Sequence, residues 1–347
     1  PSSPFPRLHF TLHYFSSTPN NFLLNCSLKT ATLNQIIAYL KFLLRSTNQH
    51  GVHSPFVFKL LTECFYKKES KLGFKNVLAF REALLKDHQA ISVTDFGAGS
   101  RVFNSDRRKV SAIAKNAGIS KKRALLLNKL TLYLQCKNAL ELGTSVGLAS
   151  AAIAAGNKLQ LTTIEGCSET AKIAREYFRK FELDNITLKV GEFEDVLNGF
   201  LEKQESRDKR QDKRQNREDG RPKTKDRMVS GDGRLKTVGW LESGDGRPKT
   251  EGQNQPQTTT PKPALDLIFF DGNHQKESTL HYFEKLLPLA HNDSVFIFDD
   301  IHWSGEMEEG WEQIKAHPRV RVSIDTFYWG LVFFRKEQEK EHFTIRL

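Results

Sequence analysis

From Ala139 onward, short apolar runs alternate with segments of helical periodicity, and this alternation restricts the fold more than any other feature of the sequence. The runs are rich in Ile, Leu, Val and Phe: ALELG, LQLTTIEG, ITLKVG, LDLIFFDG and SVFIFDD. Strands of this composition that alternate with helices form parallel sheets covered on both faces. Two last runs, RVRVSIDTF and WGLVFFRK, are joined by a residue or two and must pair antiparallel. We predict an α/β fold with a Rossmann-like, doubly wound sheet of seven strands and a terminal antiparallel hairpin.

Other regions precede or interrupt this sheet. Residues 32–135 carry apolar residues at spacings of three and four, which predicts an α-helical N-terminal region that also serves as a lid. Residues 136–347 form the predicted sheet domain. It is interrupted at 203–262 by near-repeats such as SGDGRPKTEG, whose lack of aliphatic residues predicts a disordered insertion. Residues 1–31 are expected to be a poorly ordered extension, to which we assign no function.

Charge and cysteine usage narrow the expected partners and location. The formal net charge is +11, but the insertion alone holds 16 Lys and Arg against 10 Asp and Glu, so about half of the surplus is local. We therefore do not expect a nucleic-acid partner. The four cysteines are widely spaced and form no CxxC pair, which favours a cytoplasmic location. The best apolar run, IIAYLKFLL, is interrupted by Lys41, so we expect no membrane span. A homodimer is the assembly state that we consider.

The loop ELGTSVG, after the first strand of the sheet, has the features of a nucleotide-binding turn. Gly143 permits a tight turn, Ser145 and Gly147 keep the loop small, and LASAAIAA begins a helix with free N–H groups. Glu165 ends the next strand 22 residues after Gly143, the spacing at which an acid accepts both ribose hydroxyls. A competing stretch, DFGAGS at 95–100, has no second strand and acid at that distance. The loop departs from GxGxxG, which argues against a dinucleotide.

Acidic residues follow the fourth and fifth predicted strands, in FFDGNH and FIFDDIHWS. Because the carboxyl ends of adjacent parallel strands meet at one edge of a sheet, Asp271, Asp299 and Asp300 are expected on one rim. Carboxylate oxygens with positions left open for water and substrate suit Mg²⁺. The sequence therefore predicts a magnesium site beside the nucleotide.

Together these motifs resemble those of the class I S-adenosylmethionine-dependent methyltransferases, over residues 120–347 without the insertion. ELGTSVG is similar to their first motif, TTIEG to their second and VGEFEDVL to the segment that borders the adenine; the terminal hairpin is the family's sheet ending. The resemblance implies S-adenosylmethionine as the cofactor. The residues that it implies in cofactor binding are Glu141, Gly143, Thr144, Ser145 and Gly147 at the methionine part, Glu165 and Gly166 at the ribose, Glu192 and Phe193 at the adenine, and Asp271.

Within that family the Asp-Asp-x-His stretch looks like the O-methyltransferases of the catechol type and, more closely, the macrocin type. This resemblance implies that Asp271, Asp299 and Asp300 ligate the metal and that His302 is the general base, which makes Asp271 and His302 the catalytic residues. Asp300 departs from the catechol pattern, in which Asn is usual. The implied reaction is in-line transfer of a methyl group to a hydroxyl of a small molecule, with Mg²⁺ lowering the pKa of that hydroxyl.

Other interpretations stay open. The glycine-rich turn alone is compatible with an ordinary strand-to-helix connection, Asp299 and Asp300 with helix capping, Asp271 with a contact to the cofactor only, and His302 with a surface histidine. Methylation of RNA or protein is a second function of such a fold, although FFDGNH lacks the Asp-Pro-Pro-aromatic pattern of N-methylases. A third is a non-catalytic module that binds a partner through the N-terminal helices.

Overall fold

The computed structural model describes residues 35–68, 72–94, 106–202 and 264–347. The predicted N-terminal extension, the DFGAGS stretch and the insertion at 203–262 lie outside the described residues. Of the residues that the structure describes, those up to Leu197 and those from Ala264 onward belong to one compact unit. The predicted boundary at residue 135, between the helical region and the sheet domain, lies within this unit and stays a prediction.

Helices dominate the N-terminal region, as predicted. They are α1 (residues 35–45), α2 (Pro55–Lys59), α3 (Leu72–Lys86), α4 (Val110–Asn116) and α5 (Lys121–Tyr133). A 3₁₀ turn, Gln49–Gly51, precedes α2, which continues into a π-helical segment, Leu60–Phe65. The region also contains a short antiparallel ladder that the sequence did not predict, β1 (Ala90–Ser92) with β2 (Arg107–Lys109).

A sheet with helices between its strands follows. Its strands are β3 (Asn138–Leu142), β4 (Gln160–Glu165), β5 (Ile186–Val190), β6 (Leu265–Phe270), β7 (Ala290–Asp299), β8 (Val322–Asp325), β9 (Trp329–Phe333) and β10 (Glu341–Thr344). The helices are α6 (Leu148–Ala154), α7 (Ser168–Lys180), α8 (residues 193–202), α9 (Lys276–Leu286) and α10 (Gly305–Ala316), with a 3₁₀ turn at Leu287–Leu289.

The strand order is β10-β8-β9-β7-β6-β3-β4-β5. All pairs are parallel except those of β9, which runs antiparallel to both β7 and β8. The Rossmann-like fold and the antiparallel hairpin are therefore confirmed. The structure adds an eighth strand, β10, which pairs in parallel with β8 at the edge of the sheet.

The order of the strands creates a switch point at β3. The chain goes from β3 to β4 and β5 on one side and then crosses to β6 on the other side of β3. In open α/β sheets, ligands bind outside the carboxyl ends of the strands at such a point. A ligand site is therefore expected at the loops after β3, β4, β6 and β7.

The core explains why β6 and β7 read as continuous apolar runs. Their side chains from Leu267 to Phe270 and from Val295 to Phe298 are nearly all buried. Aromatic rings stack between the two strands, with the ring centroids of Phe270 and Phe298 4.4 Å apart. Burial on both faces is typical of central parallel strands.

The N-terminal helices are anchored on the sheet domain. α5 packs on α6, and the buried Asn128 amide donates hydrogen bonds to the carbonyl oxygens of Ala152 and Ala155, at 2.9 and 2.8 Å. Thr47, after α1, pairs with Ile345: its amide donates to Thr344 at 2.9 Å and its carbonyl accepts from Arg346 at 3.1 Å. Within the described ranges no helix has both the length and the apolar character to cross a bilayer.

Gly330 in β9 offers a test of the packing between the sheet and α10. A Cβ at this position would lie 2.6 Å from the ring of Trp311, which is buried, whereas a Cβ at Gly305 would meet nothing within 4 Å. We expect Gly330→Ala to cost about 1–3 kcal/mol because the core is overpacked, and Gly305→Ala to cost nothing measurable. Denaturant midpoints of the two variants check this, and equal midpoints would contradict the packing described here.

Candidate active site

The loop between β3 and α6 has a backbone that only small residues allow. Gly143 has φ +101°, and a Cβ there would lie 2.0 Å from the carbonyl oxygen of Asp271. Gly147 has φ +85°, and its Cβ would lie 2.6 Å from the ring of Phe178. Ser145 also has a positive φ, +50°. The loop therefore runs tightly against the backbone after β6 and against α7.

Glu165, at the end of β4, fastens this loop. One carboxylate oxygen accepts a hydrogen bond from the Ser145 amide at 2.6 Å, and the other accepts from the Cys167 amide at 2.9 Å. Gly166 and the half-buried Glu165 side chain thus lie directly beside the loop after β3. The structure brings together the acid and the glycine-rich turn that the sequence paired by spacing.

Glu141 is fully buried beneath the same loop, at 0% exposure. Its Oε2 accepts hydrogen bonds from Ser150, in α6, and from Thr163, in β4, the latter at 2.5 Å. Thr163 in turn contacts the buried Thr144 hydroxyl at 2.6 Å. Oε1 has no hydrogen-bond partner among the described residues. Burial raises the pKa of Glu141 to about 7 against the lowering effect of the Ser150 and Thr163 hydrogen bonds.

Phe193 borders the other side of the switch point. Its half-buried ring lies against Gly272, where a Cβ would come within 2.7 Å of the ring, and packs edge-on to Tyr282 with centroids 5.7 Å apart. The neighbouring Glu192 is exposed. Phe193 therefore contributes an apolar side to the site just beyond β6.

The acidic rim forms at the ends of β6 and β7, but its charges are arranged differently from the prediction. The Arg123 guanidinium, from the first turn of α5, donates from Nη1 to Oδ1 of Asp299 at 2.8 Å. The two side chains are 23% and 7% exposed. Asp300 has a positive φ of +52°. Burial, together with the adjacent Asp299 carboxylate, raises the pKa of Asp271 well above its usual range.

The described residues do not show the predicted magnesium site. Within the described ranges, no group of three His, Cys, Asp or Glu side chains is placed to hold a metal ion. Arg123 forms an ion pair with Asp299, and its positive charge offsets the attraction of that carboxylate for a cation. The metal-ligand role of Asp271, Asp299 and Asp300 therefore stays a prediction.

His302 is held by two carboxylates and is poorly suited to be the general base. Nδ1 lies 2.8 Å from Glu308 and Nε2 lies 2.9 Å from Asp325. Burial lowers the pKa of His302, but the Asp325 and Glu308 hydrogen bonds raise it more, so that its net shift is upward. A ring with both nitrogens bonded to carboxylates is stabilised as the cation and has no nitrogen ready to accept a proton.

Aromatic side chains surround this end of the sheet. His302 stacks on Phe327, with ring centroids 5.1 Å apart and planes at 13°, and Tyr39 and Phe42 of α1 also contact Phe327. The next residue, Tyr328, is 50% exposed, and the Arg123 guanidinium lies 5.0 Å from its ring centroid. An exposed aromatic ring beside a partly buried ion pair is a candidate wall for a substrate.

Two functional features were missed from the sequence. Arg123 lies in the basic first turn of α5, after two lysines, and nothing local signals its partner 176 positions away. Ser150 and Thr163, which hold Glu141, carry a weaker signal: both are hydroxyl side chains within otherwise apolar segments next to the glycine loop.

Comparison with known proteins agrees with the resemblance. Residues 235–301 match a family model described as a methyltransferase domain. Part of the chain thus matches a methyltransferase family. Its described portion, from residue 264, contains β6, β7 and the acidic rim. No curated protein matches the chain.

Solved structures give weaker similarities. An O-methyltransferase from Bacillus cereus in complex with SAH is 17% identical, with 80% of this chain and 97% of that one covered and a TM-score of 0.41. The O-methyltransferase TomG from Streptomyces achromogenes, in complex with SAM, is 16% identical (81% and 95% covered; TM-score 0.42). The SAH-bound methyltransferase PaMTH1 from Podospora anserina is 12% identical (82% and 97% covered; TM-score 0.45).

The pairing of His302 predicts a pH-dependent stability. Because its folded-state pKa is raised, the stabilisation is fully present below the ordinary pKa of about 6.5 and is lost as pH rises through the raised value. We expect His302→Gln to lower stability by about 1.5–3 kcal/mol at pH 6 and by less at pH 9. Thermal unfolding at both pH values measures this, with the exposed His281→Gln as control. An equal loss at both pH values would refute a cationic His302.

Proposed function

We propose that the protein is an S-adenosylmethionine-dependent methyltransferase that transfers the methyl group to a hydroxyl of a small molecule. The observation that carries the proposal is the buried carboxyl of Glu141, whose Oε1 has no partner among the described residues, beneath a glycine loop at the switch point of the sheet. The methyltransferase family model that matches residues 235–301 supports the same assignment.

Several groups of the chain fit the parts of S-adenosylmethionine. A buried carboxyl with one unused oxygen is costly unless a donor or cation completes it, and the ammonium of a methionine moiety is such a group. Gly143, Thr144, Ser145 and Gly147 would bring the backbone close to the same moiety. Glu165 accepts hydrogen bonds from the Ser145 and Cys167 amides at the end of β4, and its carboxylate would also accept the ribose hydroxyls.

The remaining cofactor contacts follow the same edge of the sheet. Phe193 would cover one face of the adenine, with Glu192 beside it, and Gly166 would allow the ribose to approach the end of β4. Asp271 begins the loop after β6, directly against Gly143, and would border the cofactor. When bound, S-adenosylmethionine supplies a methyl group on a positively charged sulfur, which is open to attack by an oxygen.

The chain's own contribution to such a reaction is alignment and charge. A pocket that holds an acceptor oxygen in line with the methyl group removes most of the entropic barrier. Asp271 remains a candidate catalytic residue because it lies on the rim next to the loop, whereas His302 acts as a positioning residue that holds Phe327 and thereby the Tyr328 wall.

Titration calorimetry with S-adenosylhomocysteine tests the cofactor assignment through Glu165. We expect micromolar binding by the wild-type chain and a loss of about 10- to 100-fold in Glu165→Ala, because hydrogen bonds to a charged acceptor are worth about 1.5–3 kcal/mol. Glu165→Gln should fall between the two, since it keeps one acceptor oxygen.

Glu169→Ala is the matched control, because it removes an exposed carboxylate four residues away in the first turn of α7. Binding by neither the wild type nor the control would overturn the cofactor assignment and favour the non-catalytic module. Binding that Glu165→Ala leaves unchanged would place the cofactor elsewhere.

The pKa of Glu141 predicts how this binding depends on pH. Its folded-state pKa of about 7 means that the carboxyl must lose a proton to receive an ammonium at lower pH. We therefore expect affinity for S-adenosylhomocysteine to be highest above pH 7 and to fall by up to about tenfold per unit below it.

Glu141→Gln should weaken binding at pH 8 and abolish the pH dependence, and titrations in buffers of different ionisation enthalpy should reveal proton release by the wild type only. A pH profile shared by the wild type and Glu141→Gln would show that Glu141 does not face the bound amine.

A further inference from the structure

The resident cation of the acidic rim is an arginine. Arg123 is the third residue of α5, a helix whose N-cap Ser120 accepts a hydrogen bond from the Arg123 amide at 3.3 Å. Further along, Asn128 fastens α5 to the last carbonyls of α6. The backbone that carries Arg123 is thus fixed against the helix that follows the glycine loop.

The guanidinium has two contacts that fix its orientation. Nη1 donates to Asp299 Oδ1 at 2.8 Å, and the group lies 5.0 Å from the centroid of the Tyr328 ring. Asp299 is 7% exposed, so this ion pair is shielded from water on the carboxylate side. A guanidinium stays charged at any physiological pH and offers five N–H donors, of which the bond to Asp299 uses one.

We propose that Arg123 takes the place of a divalent metal ion in this site and binds the methyl acceptor through its oxyanion, with Tyr328 as the adjoining wall. The proposal rests on the proposed function and deepens it. Its substrate class is an acceptor whose reacting oxygen is negatively charged or becomes so as its proton leaves.

The chemistry of the step is balanced without a metal. The acceptor O–H gives its proton to water, the oxygen forms a bond to the methyl carbon, and the carbon–sulfur bond breaks with its electron pair staying on sulfur. Hydrogen bonds from the remaining N–H groups of Arg123 favour the ionised acceptor, as a metal ion otherwise does. Asp299 is a positioning residue, because it holds the guanidinium and contacts no acceptor in this arrangement.

The first arm of the test uses metal ions alone. MgCl₂ and MnCl₂ are titrated into the wild type, Arg123→Gln, Arg123→Lys and the control Lys122→Ala, which removes an exposed charge from the same helical turn. We expect no saturable binding except in Arg123→Gln, where the released carboxylates gain at least about tenfold in metal affinity. Asp299→Asn in the Arg123→Gln background should abolish the gain.

Two results would overturn the proposal. One is saturable metal binding by the wild type that is lost in Asp299→Asn. The other is an Arg123→Gln variant that is folded, as judged by thermal unfolding, but shows no gain in metal affinity. Titration of each variant with S-adenosylhomocysteine keeps the two proposals apart. If the wild type binds S-adenosylhomocysteine but the metal titrations differ from expectation, only the role of Arg123 is refuted. If the wild type does not bind S-adenosylhomocysteine, the proposed function itself is refuted.

The second arm measures the acceptor side directly with 4-nitrophenol, whose phenolate absorbs visible light. In the presence of S-adenosylhomocysteine, the wild type and Lys122→Ala should lower the pKa of this phenol, Arg123→Lys should do so less, and Arg123→Gln not at all. A wild-type complex that leaves the phenol's pKa unchanged, or a shift that survives in Arg123→Gln, would contradict oxyanion binding by Arg123.

Discussion

The close approach of two backbones at the switch point is the constraint on which the site depends. Gly143 lies so near the carbonyl of Asp271 that no side chain fits between them, and Asp271 in turn donates its amide to Leu142 at 2.9 Å. The loop after β3 and the loop after β6 are thereby held as one surface. Glu165 adds the loop after β4 through its bond to Ser145, so three strand ends share one rigid edge.

Most of this edge could be predicted from the sequence because its signals are local. The apolar runs predicted the strands, and their alternation with helices predicted parallel pairing. Residues at the carboxyl ends of parallel strands then lie at one edge of the sheet. The eighth strand, β10, was missed because its sequence carries no such local signal. EHFT is short and three of its four residues are polar, so its pairing with the edge of β8, and not an apolar pattern of its own, makes it a strand.

The charges on the rim were beyond prediction because they depend on contacts between distant segments. The Asp-Asp-x-His stretch gives no indication whether a cationic side chain lies nearby. That side chain is Arg123, which belongs to a helix 176 residues earlier in the chain. His302 is similar, since its second carboxylate, Asp325, belongs to another strand. The resemblance implied roles for these residues from their types alone. Their hydrogen-bond and ion-pair partners, which the sequence does not reveal, determine the chemistry that the side chains can perform.

The pairing of Thr47 with Ile345 joins the segment after α1 to the segment after β10 by backbone hydrogen bonds. The segment after α1 and the segment that follows β10 lose these two hydrogen bonds together, whereas β10 keeps its pairing with β8. Detachment of one segment is therefore thermodynamically linked to detachment of the other. Because Tyr39 and Phe42 of α1 contact Phe327, loosening of either segment also weakens the support of the aromatic wall beside Arg123.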